Sequence, residues 1–353
     1  MSELEPLYPL LIEPREVGAI WGGHALAARY GKPGDPTAAI GESWECWDAN
    51  RIGNGVHAGR TLAELRAELG GELLGSLDPA PIFPLLTKFI DARKPLSVQV
   101  HPGDAYAQRV EHQPFGKTEC WYVLEAEPDA KIVLGWNRNT SREEYLARVK
   151  DGSFGTLLRN VPARAGDVFY LPAGTLHAIG SGIILYETQQ ASDLTYRIFD
   201  YDRLGPDGKP RPLHIEKAAD VLDYRMSHAS ALRALEYVLD GLRRTTLIAD
   251  PRFIVERIAL APEAHGVDTD GMPLIVTALD RPIELEARGA CLRLAPYQTA
   301  LVPAAFEVVM LRALAPGARA LTAAPPHDRE ALPRRYSRAS VPVDESSGFL
   351  AQF

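Results

Sequence analysis

The chain has 353 residues with 38 Lys and Arg against 46 Asp and Glu, a formal charge of −8, and at that length two domains are the prior expectation. No basic run is interleaved with aromatics, which argues against a nucleic-acid partner, and no apolar stretch approaches the span of a bilayer, which argues against a membrane one. Cys46, Cys120 and Cys291 are odd in number and lack C-x-x-C spacing, so a disulfide framework is not expected and the cysteines read as small hydrophobes.

The opening Met1-Ser2-Glu3-Leu4-Glu5-Pro6 has neither the basic nor the apolar block of a signal peptide, and the expected location is cytoplasmic. Up to about residue 60, short apolar runs such as Trp21-Gly22-Gly23 and Ile40-Gly41-Glu42-Ser43-Trp44-Glu45 read as edge strands or a cover over a barrel. Thr61-Leu62-Ala63-Glu64 has capping-box form and should open a helix through Leu65 and Leu69 that stops near Gly70-Gly71. Leu96 to Pro102 alternates as a strand, and Gly116-Lys117-Thr118-Glu119 leads into a second strand at Trp121 to Leu124. Ser141-Arg142-Glu143-Glu144 predicts another surface helix carrying Tyr145, Leu146 and Val149. Gly166 to His177 reads as a strand, a Pro-x-Gly turn and a return strand bearing His177. His214 to Leu222 is a third helix candidate, and a domain junction is expected near Ser227 to Leu232. Beyond it, Phe253 to Ile258, Leu274 to Leu279 and Ala300 to Ala304 are strand candidates whose spacing suggests a second all-β sandwich or barrel. Its His265 and His327 show no ligand-like pattern, and no metal is expected there.

The chemistry concentrates in three segments. Gln99 and His101 are two apart on a strand and share a face, His177 is aimed back by its turn, and Glu119 supplies an anion. Two imidazoles and a carboxylate suit zinc, iron or manganese better than calcium or magnesium, and the absence of cysteine points to an open, catalytic site. His24, His57, His112, His214 and His228 have no such spacing. Arg197 stands beside Ile198 and Phe199, where a guanidinium without an anion would be costly; Asp200, Asp193 and a bound substrate are the candidate partners. Lys117, Arg203, Lys209 and Arg211 add cations matched to a phosphate, although the last two could simply decorate a turn at Gly205-Pro206-Asp207-Gly208.

Ser97-Val98-Gln99-Val100-His101-Pro102, Gly116-Lys117-Thr118-Glu119-Cys120-Trp121-Tyr122, Pro172-Ala173-Gly174-Thr175-Leu176-His177-Ala178 and Gln189-Gln190-Ala191-Ser192-Asp193-Leu194-Thr195-Tyr196-Arg197 resemble the signatures of type I mannose-6-phosphate isomerases of the shorter bacterial kind. The likeness covers roughly the first 225 residues. It implies a mainly β fold, a cupin (jelly-roll β-barrel) with a second C-terminal β-sandwich or cupin-like domain and a few short helices, divided into a catalytic domain over 1–228 and a metal-free one over 229–353. It also implies one zinc ion per chain held by His101, Glu119 and His177, with Gln99 a further ligand in some members. Arg197 takes the place of the family's active-site arginine, Ser97, Lys117 and Arg203 become candidates for substrate or phosphate contact, and Glu187 lies where an acid/base group has been suggested. The implied reaction interconverts mannose 6-phosphate and fructose 6-phosphate by proton transfer through an enediolate, with Glu187, Lys117 and a metal-held water all admissible as base. A metal-dependent cupin oxygenase, which uses a similar facial triad for Fe(II), and a non-catalytic sugar-phosphate-binding cupin are the alternatives. A small sugar phosphate is the expected partner, and a monomer and a homodimer both fit the sequence.

Overall fold

The computed structural model describes residues 7–205, 207–326, 328 and 330–353. Met1 to Pro6, Pro206 of the 205–208 turn and His327 lie outside the described residues. The protein is mainly β, and period-2 alternation builds its first sandwich. A six-stranded antiparallel sheet runs in the order Val168–Leu171, Glu119–Ala126, Ile183–Gln190, Leu85–Ala92, Arg15–Gly23, Ile40–Cys46. A five-stranded sheet has the order Tyr196–Phe199, Val98–Val100, His177–Ile179, Lys131–Trp136, Leu158–Pro162. The two pack through one shared core in which Trp21, Ile90, Trp121 and Leu185 of the larger sheet meet Ile132, Leu134 and Ile179 of the smaller. The strands at residues 15–23 and 40–46 sit at the edge of this sheet, the first of the two arrangements expected for them.

The helices follow their local signals. Thr61 caps Leu62–Leu69 with both halves of a capping box, and Gly70 ends it. Ser141 caps Arg142–Lys150 by accepting the Glu144 N–H, while the Glu144 carboxylate goes to Arg138 and Thr140 instead of returning to the cap. With Ile215–Val221, this second helix covers the outer face of the five-stranded sheet, over Val100, Trp136 and Tyr196.

The outer face of the six-stranded sheet, bearing Phe89, Cys120, Tyr122 and Tyr186, is covered by an eight-stranded sheet that presents Ile248, Val255, Ile275 and Leu321. The other face of that sheet packs on a four-stranded one around Val276, Leu285, Phe306 and Val309, which makes a second sandwich filled by apolar side chains. The chain order is interrupted here. Leu10–Glu13 pairs with Thr299–Val302, Leu10 opposite Leu301, and Arg51–Ile52 pairs with Leu10–Glu13 at the edge of the same sheet. A division at residue 228 therefore cuts across the eight-stranded sheet, because edge pairing recruits whichever strand reaches the free N–H and C=O row. No helix among the described residues is long and apolar enough to cross a membrane.

Candidate active site and metal centre

Strand register lines up two rows of side chains that face each other across the first sandwich. In the five-stranded sheet Gln99 lies opposite both His177 and Arg197. In the six-stranded sheet Glu187 lies between Lys88 and Trp121, and Lys88 is opposite Trp44. Glu119 opens its strand on the inner face, followed by Trp121 and Val123, while Cys120 and Tyr122 point into the opposite core.

The histidines are oriented through Nδ1, which lies 2.7 Å from the Leu194 carbonyl in His101 and 2.9 Å from the Thr175 carbonyl in His177. Donation to a carbonyl puts the proton on Nδ1 and leaves the Nε2 lone pair free. His101 Nε2 is 3.5 Å and His177 Nε2 3.3 Å from the two Glu119 oxygens, so one ligand atom from each residue fits within a 4.8 Å span. All three side chains are 1% exposed; both Nε2 atoms and Glu119 Oε1 lack a hydrogen-bond partner, and Glu119 Oε2 meets the Lys117 ammonium. Three convergent, buried and unsatisfied atoms are costly in a dry site. A divalent cation satisfies all of them, and the residues fit such an ion with room for a further ligand.

Electrostatics agree with the geometry. Burial lowers the His177 imidazole to about 4, and burial with the Lys117 charge holds His101 well below its ordinary value, so both are in the neutral, ligating form. Burial and the Glu187 charge raise Glu119 to about 8, a preference that a bound cation inverts.

A cavity of about 160 Å³ adjoins the triad, its wall including Lys117, Glu187, Gln99, Ser97, Arg197 and Arg211. Lys117 Nζ is 2.9 Å from Glu119 Oε2. Trp121 Nε1 donates to Glu187 Oε1 at 3.0 Å, and Lys88 Nζ lies 3.2 Å from Glu187 Oε2 and 3.3 Å from Glu42. Burial pushes the Glu187 carboxyl up, but Lys88 and Lys117 outweigh it and hold the group below the usual range. Arg197 Nε donates to Ser97 Oγ at 3.3 Å, and burial depresses its pKa. Among the described residues no carboxylate pairs with Arg197. Asp200 is gripped instead by Arg203 Nη2 at 2.6 Å and Arg211 Nη2 at 2.5 Å, which leaves Arg197 for a bound anion.

Of the residues singled out in the sequence, His101, Glu119 and His177 converge, and Gln99, Ser97, Lys117, Glu187 and Arg197 line the adjoining cavity. Arg203 does not line it. Its guanidinium is spent on Asp200 and the Pro95 carbonyl, and Arg211 stands at the wall instead. Lys88 escaped the sequence reading, and Glu42 and Trp44 were read only as part of an edge strand or cover. The available signal was Lys88 itself, a lysine among Leu85, Leu86, Phe89 and Ile90. A larger hollow of about 390 Å³ at Gly23, Arg29, Asp91 and Glu125 shares no residue with this site. Its polar groups are already engaged, Arg29 with Glu125 and Asp91 with the Ala25 N–H.

Residues 12–133 match the family model of the phosphomannose isomerase type I catalytic domain. The chain is 42% identical to the mannose-6-phosphate isomerase of Streptococcus mutans over 252 residues, 70% of this chain and 77% of that protein. It is 45% identical to a mannose-6-phosphate isomerase of Bacillus subtilis over 223 residues, 61% of this chain and 68% of that protein. The crystal structure of the mannose 6-phosphate isomerase from Bacillus subtilis shares the fold with a TM-score of 0.81 at 30% identity, covering 89% of this chain and 99% of that one. A mannose 6-phosphate isomerase described as holo and zinc bound shares the fold with a TM-score of 0.71 at 15% identity, over 90% of this chain and 99% of that one. Likeness on this scale extends well beyond the local motifs into both sandwiches, and the chain therefore belongs to the type I mannose-6-phosphate isomerase family and is an isomerase.

Proposed function

We propose that this isomerase interconverts mannose 6-phosphate and fructose 6-phosphate, with one zinc ion held by His101, Glu119 and His177 and with Gln99 as a further ligand. The observation that carries the reading is the convergence of two unsatisfied Nε2 atoms on the buried Glu119 carboxylate beside a cavity walled by Glu187, Lys117 and Arg197. The reaction removes a proton from the carbon next to the carbonyl of an open-chain sugar and returns it to the neighbouring carbon through an enediolate. What a bound zinc supplies is Lewis-acid stabilisation of charge on the sugar oxygens.

The chain's own groups do the rest. Glu187 and Lys117 face the cavity and are the candidate proton carriers; Glu187 is held in place by Trp121 and Lys88. Arg197 is a fixed cation oriented by Ser97, and in this role it stabilises developing negative charge at no reorganisation cost. Arg211 and Ser97, on the same wall, offer donors to the phosphate, and Arg203 supports Arg211 through Asp200. The three tryptophans Trp21, Trp44 and Trp121 bound the cavity with apolar surface and exclude water from the reacting carbons.

A coupled assay of the purified protein on mannose 6-phosphate, before and after chelation and zinc restoration, tests the proposal. Turnover should be lost on chelation and regained with zinc. A zinc-loaded protein without turnover overturns the reading, and oxygen uptake dependent on added iron would favour the oxygenase alternative.

A further inference from the structure

We infer that Gln190 is a positioning residue that sets the geometry of the metal triad without touching metal or substrate. The inference rests on the metal reading above. Gln190 is 4% exposed, and both ends of its amide are used. Its Oε1 accepts the Thr118 N–H at 2.9 Å, while its own backbone N–H donates to the Thr118 carbonyl at 3.1 Å. Its Nε2 donates to Asp104 Oδ1 at 2.9 Å, and the same oxygen accepts the Gly116 N–H at 2.8 Å. The two residues flanking Lys117 are thus both pinned, and Thr118 fixes the entry of Glu119.

The other two ligands are tied to the same hub. Lys117 N–H donates to the Pro102 carbonyl at 2.9 Å, next to His101. Thr118 Oγ1 accepts the Ala173 N–H at 3.3 Å, and the Gly174 N–H donates to the His101 carbonyl at 2.9 Å, in the turn that delivers His177. At Gly116 the segments approach so closely that an added Cβ would overlap the backbone of Pro102, Gly103 and Asp104. Gln190 is therefore the side chain that joins the strand entry of Glu119 to the loop following His101. An amide is required there because one end must accept from an N–H and the other must donate to a carboxylate; a carboxylate in its place would face Asp104.

Metal affinity falls steeply when ligands drift, and loss of an outer partner typically costs about 10- to 100-fold. The test is the zinc dissociation constant, read by competition with a chromophoric chelator, on protein whose circular dichroism matches the wild type. Gln190→Leu and Gln190→Glu should each weaken zinc by about 10-fold or more. Combining Q190E with D104N, which returns a donor to the contact, should recover most of the loss. Arg252→Ala, which removes a half-exposed cation 3.7 Å from Asp104, should change affinity less than about threefold. Folded Q190L and Q190E proteins that hold zinc as tightly as wild type overturn the inference. If Q190L does not fold, Asp104→Ala, on a partly exposed side chain, carries the same expectation, and unchanged affinity there overturns it equally. Wild-type protein that takes up no zinc overturns the metal reading and this inference together. Zinc uptake without isomerase turnover overturns the proposed reaction alone.

Discussion

Arg197 shows how one side chain's environment defines its task. It is half-buried, its Nε is engaged by Ser97, and the nearby Asp200 is already taken by Arg203 and Arg211. A guanidinium in that position gains most when negative charge develops in front of it, so its effect should fall on the transition state. Arg197→Ala is expected to lower kcat by about 10²- to 10³-fold, measured by steady-state kinetics on the zinc-loaded enzyme. A raised KM with kcat intact would assign Arg197 to ground-state binding instead. His101, Glu119 and His177 were legible because each lies in a short segment whose local geometry aims it, and Arg197 because a guanidinium beside Ile198 and Phe199 calls for an anion. Lys88 and Glu42 were not, because their role arises only from the register that sets Lys88 opposite Glu187 and Trp44. The choice of Arg211 over Arg203 at the cavity wall was also invisible, since both are cations of one loop and Asp200 decides which way each points.

At the scale of elements, the helix Ala331–Arg338, which precedes the last helix Val343–Leu350, is fastened by a buried charge. Arg335 Nη1 donates to Glu256 Oε2 at 2.8 Å, and Glu256 also accepts from Tyr237 at 2.5 Å and Thr246 at 3.0 Å. Burial alone would raise the Glu256 carboxyl, but Arg335 and Arg244 hold it below its ordinary value. Because the folded pKa is depressed, the stabilisation is complete above the unfolded carboxylate value of about 4.3 and is lost as pH falls through the folded one. Glu256→Gln should therefore flatten the acid limb of the stability curve below about pH 5, measured by denaturant melts across pH. Arg335→Leu, which leaves a buried carboxylate with one fewer partner, should cost about 3 kcal/mol. An unchanged denaturation midpoint would show that the helix is held by Leu332 and Tyr336 packing alone. The helix at Leu62–Leu69 is simpler: its Thr61 capping box was readable in the sequence, and Thr61→Ala should cost about 1 kcal/mol.

The whole molecule joins its two sandwiches through large apolar faces and a buried polar contact. Lys32 Nζ lies 2.8 Å from Glu45 and donates to the Tyr297 carbonyl at 2.6 Å, and Thr299 donates to Glu45 at 3.2 Å. Phe89, Tyr122 and Tyr186 share one core with Ile248, Val255, Ile275 and Leu321 of the second sandwich. A fragment ending at residue 228 should expose that face, bind a hydrophobic dye and aggregate; a soluble, monomeric fragment that still binds zinc would show that the first sandwich stands alone. Composition, the capped helices, the period-2 strands and the ligand-bearing turns were determined by the sequence alone, because each depends on residues within one or two turns of chain. Tertiary structure alone decided the placement of Leu10–Glu13 and Arg51–Ile52 in the distant sheet, the Lys88 to Glu187 wall and the Gln190 hub. Those depend on backbone donors and acceptors far apart in sequence finding each other, and local propensity carries no information about that pairing.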